Sequence, residues 1–292
     1  MNPRPVILLA QASAALAEAG LDSPKADARV LLMSATGLSV TELLTASEID
    51  ARACARFDQM IAQRAAGVPV QYLTGEAWFR NVRLEVGSGV FIPRPETELV
   101  AGAAIDEALR LKAAGRFGSE PLAVELCAGS GAISAALCDE VPGVRVVAVE
   151  KDPVAAGWLR RNLEGTPAEV IEADMADALP GVCGQAAVVV ANPPYIPWSQ
   201  RDGLPIEVRS HDPALALFAA DDGLAAIRVV VDVAHRLLQT DGLVVIEHGD
   251  DQGPAALEEL RRAGFAHRIC HRDLAGRPRF VTGRRVSGWD GE

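Results

Sequence analysis

No apolar run in the 292-residue chain approaches the ~20 residues that a membrane-spanning helix needs, so no membrane role is expected. Lysine is scarce, at three residues (Lys25, Lys112 and Lys151), and no Lys/Arg cluster is interleaved with aromatics. Arg160-Arg161 and Arg284-Arg285 stand as isolated pairs. With 28 basic against 39 acidic residues the net charge is −11, which argues against a broad surface for nucleic acid or anionic lipid. The five cysteines (Cys54, Cys127, Cys138, Cys183 and Cys270) show no CxxC and no pairing rhythm. Free thiols in a reducing, cytoplasmic compartment are therefore expected, with no metal site. Internal repeats and low-complexity tracts are absent. The opening "RPVILLAQASAALAEAG" has the outline of a signal peptide, but Gln11 and Glu18 interrupt it and its apolar residues recur at helical spacing. An amphipathic first helix is the expectation.

What is present divides the chain. Residues 1–75 read as helices. Leu8, Leu9, Ala12 and Leu16 form one stripe, Ser23-Pro24 opens a second helix, and Ser39 and Asp50 have the character of N-caps. Residues 76–92, "EAWFRNVRLEVGSGVFI", change to β-type patterning, with Gly87-Ser88-Gly89 predicted as the turn of a hairpin. A helix follows "PRPETE" and runs to about Ala114. From Pro121 onward strands (122–127, 144–149, 168–172, 186–191, 242–248, 265–271 and 278–283) alternate with helices (130–140, 152–164, 222–240 and 254–263). That alternation predicts an α/β fold, a doubly wound and mostly parallel seven-stranded sheet, preceded by a small helical domain.

The carboxyl ends of the predicted strands carry the candidate chemistry. "VELCAGSGAISAAL" (124–137) is a strand, a Gly-containing turn and a helix, and open α/β sheets bind ligands at such an edge. Glu150 ends the second strand, placed to accept hydrogen bonds from ribose hydroxyls. Asp174 follows the third strand, placed to accept from an adenine amino group, and Asn192 follows the fourth. A full G-x-G-x-x-G is missing, because Ala132, Ile133 and Ser134 follow Gly131. A pyrophosphate-bearing dinucleotide is thereby disfavoured, and a nucleoside without phosphate, such as S-adenosyl-L-methionine, fits better. The fourth strand stops abruptly in "VVVANPPYIP" (188–197), where two prolines end pairing and stiffen the backbone.

Taken together, "PVQYLTGEAWFR" (69–80), "GVFIPRPETELV" (89–100), "ELCAGSGAI" (125–133), Glu150, Asp174, "NPPYI" (192–196), "DDGL" (221–224) and "EHGDDQ" (247–252) resemble the HemK/PrmC family of release-factor glutamine N5-methyltransferases over nearly the whole chain. The resemblance implies a class I S-adenosylmethionine-dependent methyltransferase fold over 94–292, Rossmann-like in its winding. It also implies a substrate-recognition domain over 1–75 and a hairpin linker over 76–93. It implies a monomer whose partners are class 1 peptide chain release factors, with no direct contact to nucleic acid. The cofactor is expected against Cys127, Ala128, Gly129, Ser130 and Gly131, and against Glu150, Asp174, Met175 and Asn192. Cys127 and Ala128 stand where the family has Gly-Thr, Met175 where it often has an aromatic, and His248 where it has Ile. By the same resemblance, Phe91, Ile92 and Pro93 line the opposite wall, and residues 197–221 cover or admit the substrate.

The family's activity gives the tetrapeptide a purpose. An amide nitrogen is a poor nucleophile because its lone pair is delocalised into the carbonyl. The enzyme must hold the NH₂ so that this lone pair points along the sulfonium–methyl bond. The Asn192 side-chain oxygen and the Pro193 carbonyl can each accept one N–H, Pro193 and Pro194 keep the pair rigid, and Tyr195 flanks the amide plane. Two alternatives stay open at this level. One is an amino-group methyltransferase acting on a DNA or RNA base, which can use the same tetrapeptide on a flipped base. The other is a protein that binds S-adenosyl-L-methionine without turnover.

Overall fold

The structure is a computed structural model and describes residues 3–115, 120–220 and 222–287. Asp221 of "DDGL" lies outside the described residues. In chain order the helices and strands are α1 (Pro5–Glu18), α2 (Pro24–Thr36), α3 (Val40–Thr45), α4 (Ala51–Ala65), α5 (Val70–Thr74), β1 (Glu76–Phe79), β2 (Val82–Glu85), α6 (Thr97–Ala113), β3 (Leu122–Leu126), α7 (Ala132–Glu140), β4 (Arg145–Glu150) and α8 (Pro153–Asn162). There follow β5 (Glu169–Glu172), β6 (Ala186–Ala191), β7 (Ile196–Pro197), α9 (Ile206–His211), α10 (Ala214–Leu217), β8 (Phe218–Ala219), α11 (Ala225–Leu237), β9 (Leu238–Glu247), α12 (Gly253–Arg262), β10 (Phe265–Arg272) and β11 (Pro278–Arg285). The chain forms two compact units, Met1–Glu76 with Pro205–His211, and Ala77–Leu204 with Asp212–Glu292.

The first unit is built from helices with well-made ends. Ser39 and Glu42 form a capping box on α3, the serine hydroxyl accepting from Glu42 N and the carboxylate from Ser39 N. Asp50 accepts from Arg52 N and Ala53 N at the start of α4. Ser23 precedes α2 but makes no capping bond; Pro24 at the first helical position supplies the fixed φ instead and brings no N–H to satisfy. Leu8, Ala12 and Leu16 are buried with Leu31, Leu32 and Phe57, whereas Leu9 is half-buried. Arg64 is buried and donates to Asp27 at 2.8 Å, to Glu207 of α9 at 2.9 Å and to the Val68 carbonyl at 3.0 Å.

The second unit is a seven-stranded sheet in the order β10-β11-β9-β6-β3-β4-β5, parallel from β9 to β5, with β11 and β10 antiparallel at one edge. Strands β3, β4 and β6 are buried on both faces, which is why they read mostly as runs of Val, Ala and Leu, with Glu125 in β3 and Arg145 and Glu150 at the ends of β4 as the charged exceptions. Alternate residues enter different cores. Ala123, Val146, Val188 and Val190 pack with α6 and α7, while Val124, Leu126, Val147 and Val189 pack with α11 and α12. The winding reverses between β3 and β6, because β4 and β5 extend the sheet one way and β9 the other. Such a switch point leaves a crevice at the strands' carboxyl ends.

Two sequence expectations need correction. The hairpin turn is Arg80-Asn81, not Gly87-Ser88-Gly89. Arg80 takes φ +50°, and its N–H donates to Glu98 Oε1 at 3.0 Å, so a tertiary contact holds the turn. Helix α11 ends at Leu237 and not at 240, because Leu238 already pairs with Ala186 as the first residue of β9.

Candidate active site

Leu126 pairs with Ala191 across β3 and β6, so the loops beginning at Cys127 and Asn192 leave the sheet side by side. Glu150 pairs with Glu172 across β4 and β5 and brings the ends of those strands to the same edge. A cleft of about 150 Å³ lies there. Cys127, Ala128, Gly129 and Ser130 form its floor, with Glu150, Asp174 and Met175 to one side and Asn192, Pro194 and Tyr195 to the other. Gly131 and Pro193 of the expected set are not on its surface. A Cβ on Gly131 would meet Leu159, behind the loop, and Pro193 is buried. On the opposite wall stand Phe91 and Pro93, whereas Ile92 is in the core. Pro213, Leu215, Ala216 and Leu217 from the segment around α10 complete the lining.

Glu150 is engaged on both carboxylate oxygens. Oε2 accepts from Gly129 N at 2.8 Å, and Oε1 from Lys151 N and Asp152 N at 2.8 Å each. A carboxylate offers about four acceptor positions, so three backbone donors leave roughly one for a ligand hydroxyl. Asp174 is half exposed, accepts from Ala176 N at 3.0 Å and faces Lys151 Nζ at 3.8 Å. Asn162 ties the glycine turn to the hairpin, donating to Ser130 O and Glu85 O at 2.9 Å while accepting from Glu85 N at 2.7 Å.

Cys127 adopts φ +57°, a left-handed backbone that favours glycine and is costly for a residue carrying a Cβ. Its sulfur lies 3.6 Å from Met175 Sδ, so two of the four residues that depart from the resembled pattern touch each other. Burial pushes the thiol up to about 12, which keeps it protonated and removes it as a nucleophile. Glu125 of β3, which also lines the cleft, is likewise raised to about 8 by burial, against the opposing effect of Ser134 N and Oγ, which both donate to it.

Four residues hold the tetrapeptide from behind, and the reading from sequence gave none of them a role. Asn192 Nδ2 donates to Thr97 Oγ1 at 3.2 Å, which leaves the Asn192 carbonyl oxygen free to accept. The Tyr195 hydroxyl turns inward to Glu247 Oε1 at 3.5 Å. Gln252 Nε2 donates to the Tyr195 carbonyl at 2.9 Å, and Gln252 Oε1 accepts from Gly249 N. Gly223 has φ +83°, and a Cβ there would sit 2.4 Å from the Tyr195 carbonyl oxygen, so only glycine admits this approach. Thr97, Glu247, Gln252 and Gly223 all fall inside motifs quoted for the resemblance; what the sequence could not show is that they converge on Asn192 and Tyr195. His248 is fully buried, with Nδ1 against Gly249 O and Nε2 3.7 Å from Cys270 Sγ, so it is a packed residue outside the cleft.

The PrmC N-terminal domain matches residues 8–75, and the methyltransferase small domain matches residues 111–202. A release factor glutamine methyltransferase of Streptomyces coelicolor is 45% identical over 281 residues, covering 95% of this chain and 97% of its own length. A 4-amino-L-phenylalanine/4-methylamino-L-phenylalanine methyltransferase of Streptomyces pristinaespiralis is 38% identical, covering 84% of this chain and 82% of its own. Among solved structures, the catalytic domain of hMettl16 in complex with an RNA hairpin matches with a TM-score of 0.54 at 14% identity, over 80% of this chain and 84% of that one, a likeness of fold. With both domain models placed in order and near-complete coverage at that identity, the chain belongs to the release factor glutamine methyltransferase family.

Proposed function

We propose that this protein transfers a methyl group from S-adenosyl-L-methionine to the side-chain amide nitrogen of the glutamine in the Gly-Gly-Gln loop of class 1 peptide chain release factors. The orientation of Asn192 carries the reading: with its NH₂ committed to Thr97, its carbonyl oxygen is left as an acceptor beside the cleft. An acceptor there suits a substrate that presents an NH₂.

The residues present fit the cofactor. Gly129 lines the cleft with open space where a Cβ would stand, a cradle for a ligand that approaches the backbone closely. Glu150 retains one acceptor position for a ribose hydroxyl, Asp174 can accept from an adenine amine, and Met175 can cover an apolar ring face. When bound, S-adenosyl-L-methionine supplies an electrophilic methyl group on a sulfonium. The protein's own part is to orient the nitrogen. Asn192 Oδ1 takes one N–H, so the lone pair is turned toward the methyl group; the Pro193 carbonyl, expected to take the other, belongs to a residue buried off the cleft surface. The nitrogen gains the methyl and loses one proton to solvent. Positioning of this kind supplies roughly 7–11 kcal/mol in favourable cases. The helices of residues 8–75 serve substrate recognition in this reading, supported by their match to the PrmC N-terminal domain.

The test is methyl transfer from labelled S-adenosyl-L-methionine to a purified release factor, with the modified residue located by mass spectrometry. Label is expected on the loop glutamine, none on a factor with that Gln changed to Glu, and none on DNA or RNA. Labelling of the Gln→Glu factor would overturn the reading. So would efficient transfer to adenine or to an arylamine with none to the factor.

A further inference from the structure

A planar amide held by one hydrogen bond, to Asn192 Oδ1, can still turn about that bond. Contact with the faces of the plane has to supply the remaining constraint. Two apolar segments of the cleft lining are available for it. One is Phe91 with Pro93, ahead of α6; the other is Pro213, Leu215 and Leu217, in and just before α10. Phe91 and Pro93 belong to no helix or strand. Helix α10 has four residues, too few to be stable by itself. At its far end Phe218 pairs with Ile196, which ties β8 to β7. The near end depends on Asp212.

The Asp212 side chain is 1% exposed, and its Oδ2 accepts from Arg94 Nη2 at 2.5 Å, across 118 residues of sequence. Arg94 directly follows Pro93, and its guanidinium carbon lies 5.0 Å from the centre of the Phe91 ring, within the range of a cation–π contact. One guanidinium therefore meets both segments. Each charged residue also precedes a proline, Arg94 before Pro95 and Asp212 before Pro213, which biases its backbone toward extended conformations. The pair forms between two stiff stretches of chain, so little freedom is lost in holding it. We propose that Arg94 and Asp212 are positioning residues that clasp the two apolar segments at a fixed separation and so hold the faces of the substrate amide. Neither residue lines the cleft, so both act through the segments they hold.

A buried carboxylate deprived of its guanidinium is costly. Loss of Arg94 drives Asp212 toward water, and Pro213 and α10 with it, while the β7–β8 pairing keeps the far end in place. Leu215 lines the cleft and is yet 45% exposed, so it stands at the rim that such a movement opens. The contacts expected for the cofactor lie elsewhere, at the carboxyl ends of β3, β4 and β5, and neither clasped segment carries them. The clasp therefore bears on the rate of transfer and not on the affinity for cofactor.

The inference rests on the amide-methylation reading, and the experiment separates the two. Hydrogen exchange of the peptide covering 212–219 is followed by mass spectrometry with S-adenosyl-L-methionine bound, a measurement that needs no release factor. Single-turnover transfer to the factor and cofactor affinity by calorimetry are measured beside it. Arg94→Met should speed exchange of that peptide and slow transfer by roughly tenfold or more at saturating factor, with affinity within about threefold. Arg94→Lys, which keeps a charge within reach of Asp212, should recover most of both effects, which lost packing alone would not explain. Arg94→Met combined with Asp212→Asn should be no slower than Arg94→Met, because the two changes remove one contact. Unchanged exchange in Arg94→Met, or losses that multiply in the combined variant, would overturn the clasp. Should Arg94→Met not fold, Asp212→Asn alone carries the test, since it keeps the side-chain shape; exchange of 212–219 as slow as in the unsubstituted protein would then overturn it. If exchange responds as stated but the unsubstituted protein transfers nothing to the release factor, the underlying reading fails instead.

Discussion

Asn192 and Cys127 show how far a single residue's role depends on its surroundings. Asn192→Ala removes the proposed side-chain acceptor while leaving the floor, Glu150 and Asp174 in place. The single-turnover rate should fall by on the order of 10²-fold or more, with S-adenosyl-L-methionine affinity within a few-fold by calorimetry. Glu150 is different. Its removal would orphan the N–H groups of Gly129, Lys151 and Asp152 as well as any ribose contact, so a truncation there disturbs the loop and the ligand together. Cys127, expected from the sequence to contact the cofactor, carries a thiol that burial holds protonated. Brief alkylation at pH 7.5, read by peptide mass spectrometry, should modify the exposed Cys183 and leave Cys127 largely intact. Preferential labelling of Cys127 would contradict the buried-thiol description.

At the scale of elements, the tetrapeptide is rigid because three loops close on it. The prolines restrict Pro193 and Pro194, but Gln252 and Gly223 fix where the Tyr195 carbonyl lies. Gly223→Ala combines a left-handed backbone, about 1–2 kcal/mol for a residue with a Cβ, with a Cβ that must displace backbone. Together these should cost about 2–4 kcal/mol in urea denaturation. The methyl-transfer rate should fall more than cofactor affinity does, because the displaced atoms belong to the acceptor side of the cleft. Equal losses in both would mean that the substitution deforms the sheet edge as a whole.

For the whole molecule, one ion pair joins residues far apart in sequence. Arg284 of β11 donates from Nη1 and Nη2 to the Glu107 carboxylate of α6 at 2.7 and 2.9 Å, and Arg110 donates to the same group. Burial alone would raise Glu107, but these guanidiniums outweigh it and hold the carboxyl at about 2. A carboxylate lowered in the folded state adds stability that is present above its unfolded value, near 4.5, and is lost as pH falls toward 2. Arg284→Met should therefore cost about 2 kcal/mol at pH 7, and the gap to the unsubstituted protein should narrow by pH 3. A gap that is constant from pH 7 to pH 3 would show that Arg284 acts by packing alone.

The sequence by itself determined the order of elements and the two-sided burial of the sheet. Both follow from local patterning, in which runs of mostly Val, Ala and Leu alternate with amphipathic helices and each element's partner is decided by the winding rule. It also determined which residues reach the strand ends, since Glu150 and Asn192 directly follow the last apolar residue of their strands and Asp174 comes two residues after β5 ends. It misplaced the hairpin turn, because Gly-Ser-Gly is a local turn signal whereas the Arg80 turn is held by Glu98, a contact 18 residues away. Only the tertiary structure decided which way Asn192 faces. That choice depends on Thr97, 95 residues before it, and no local propensity couples an amide's rotation to a group so distant in the chain.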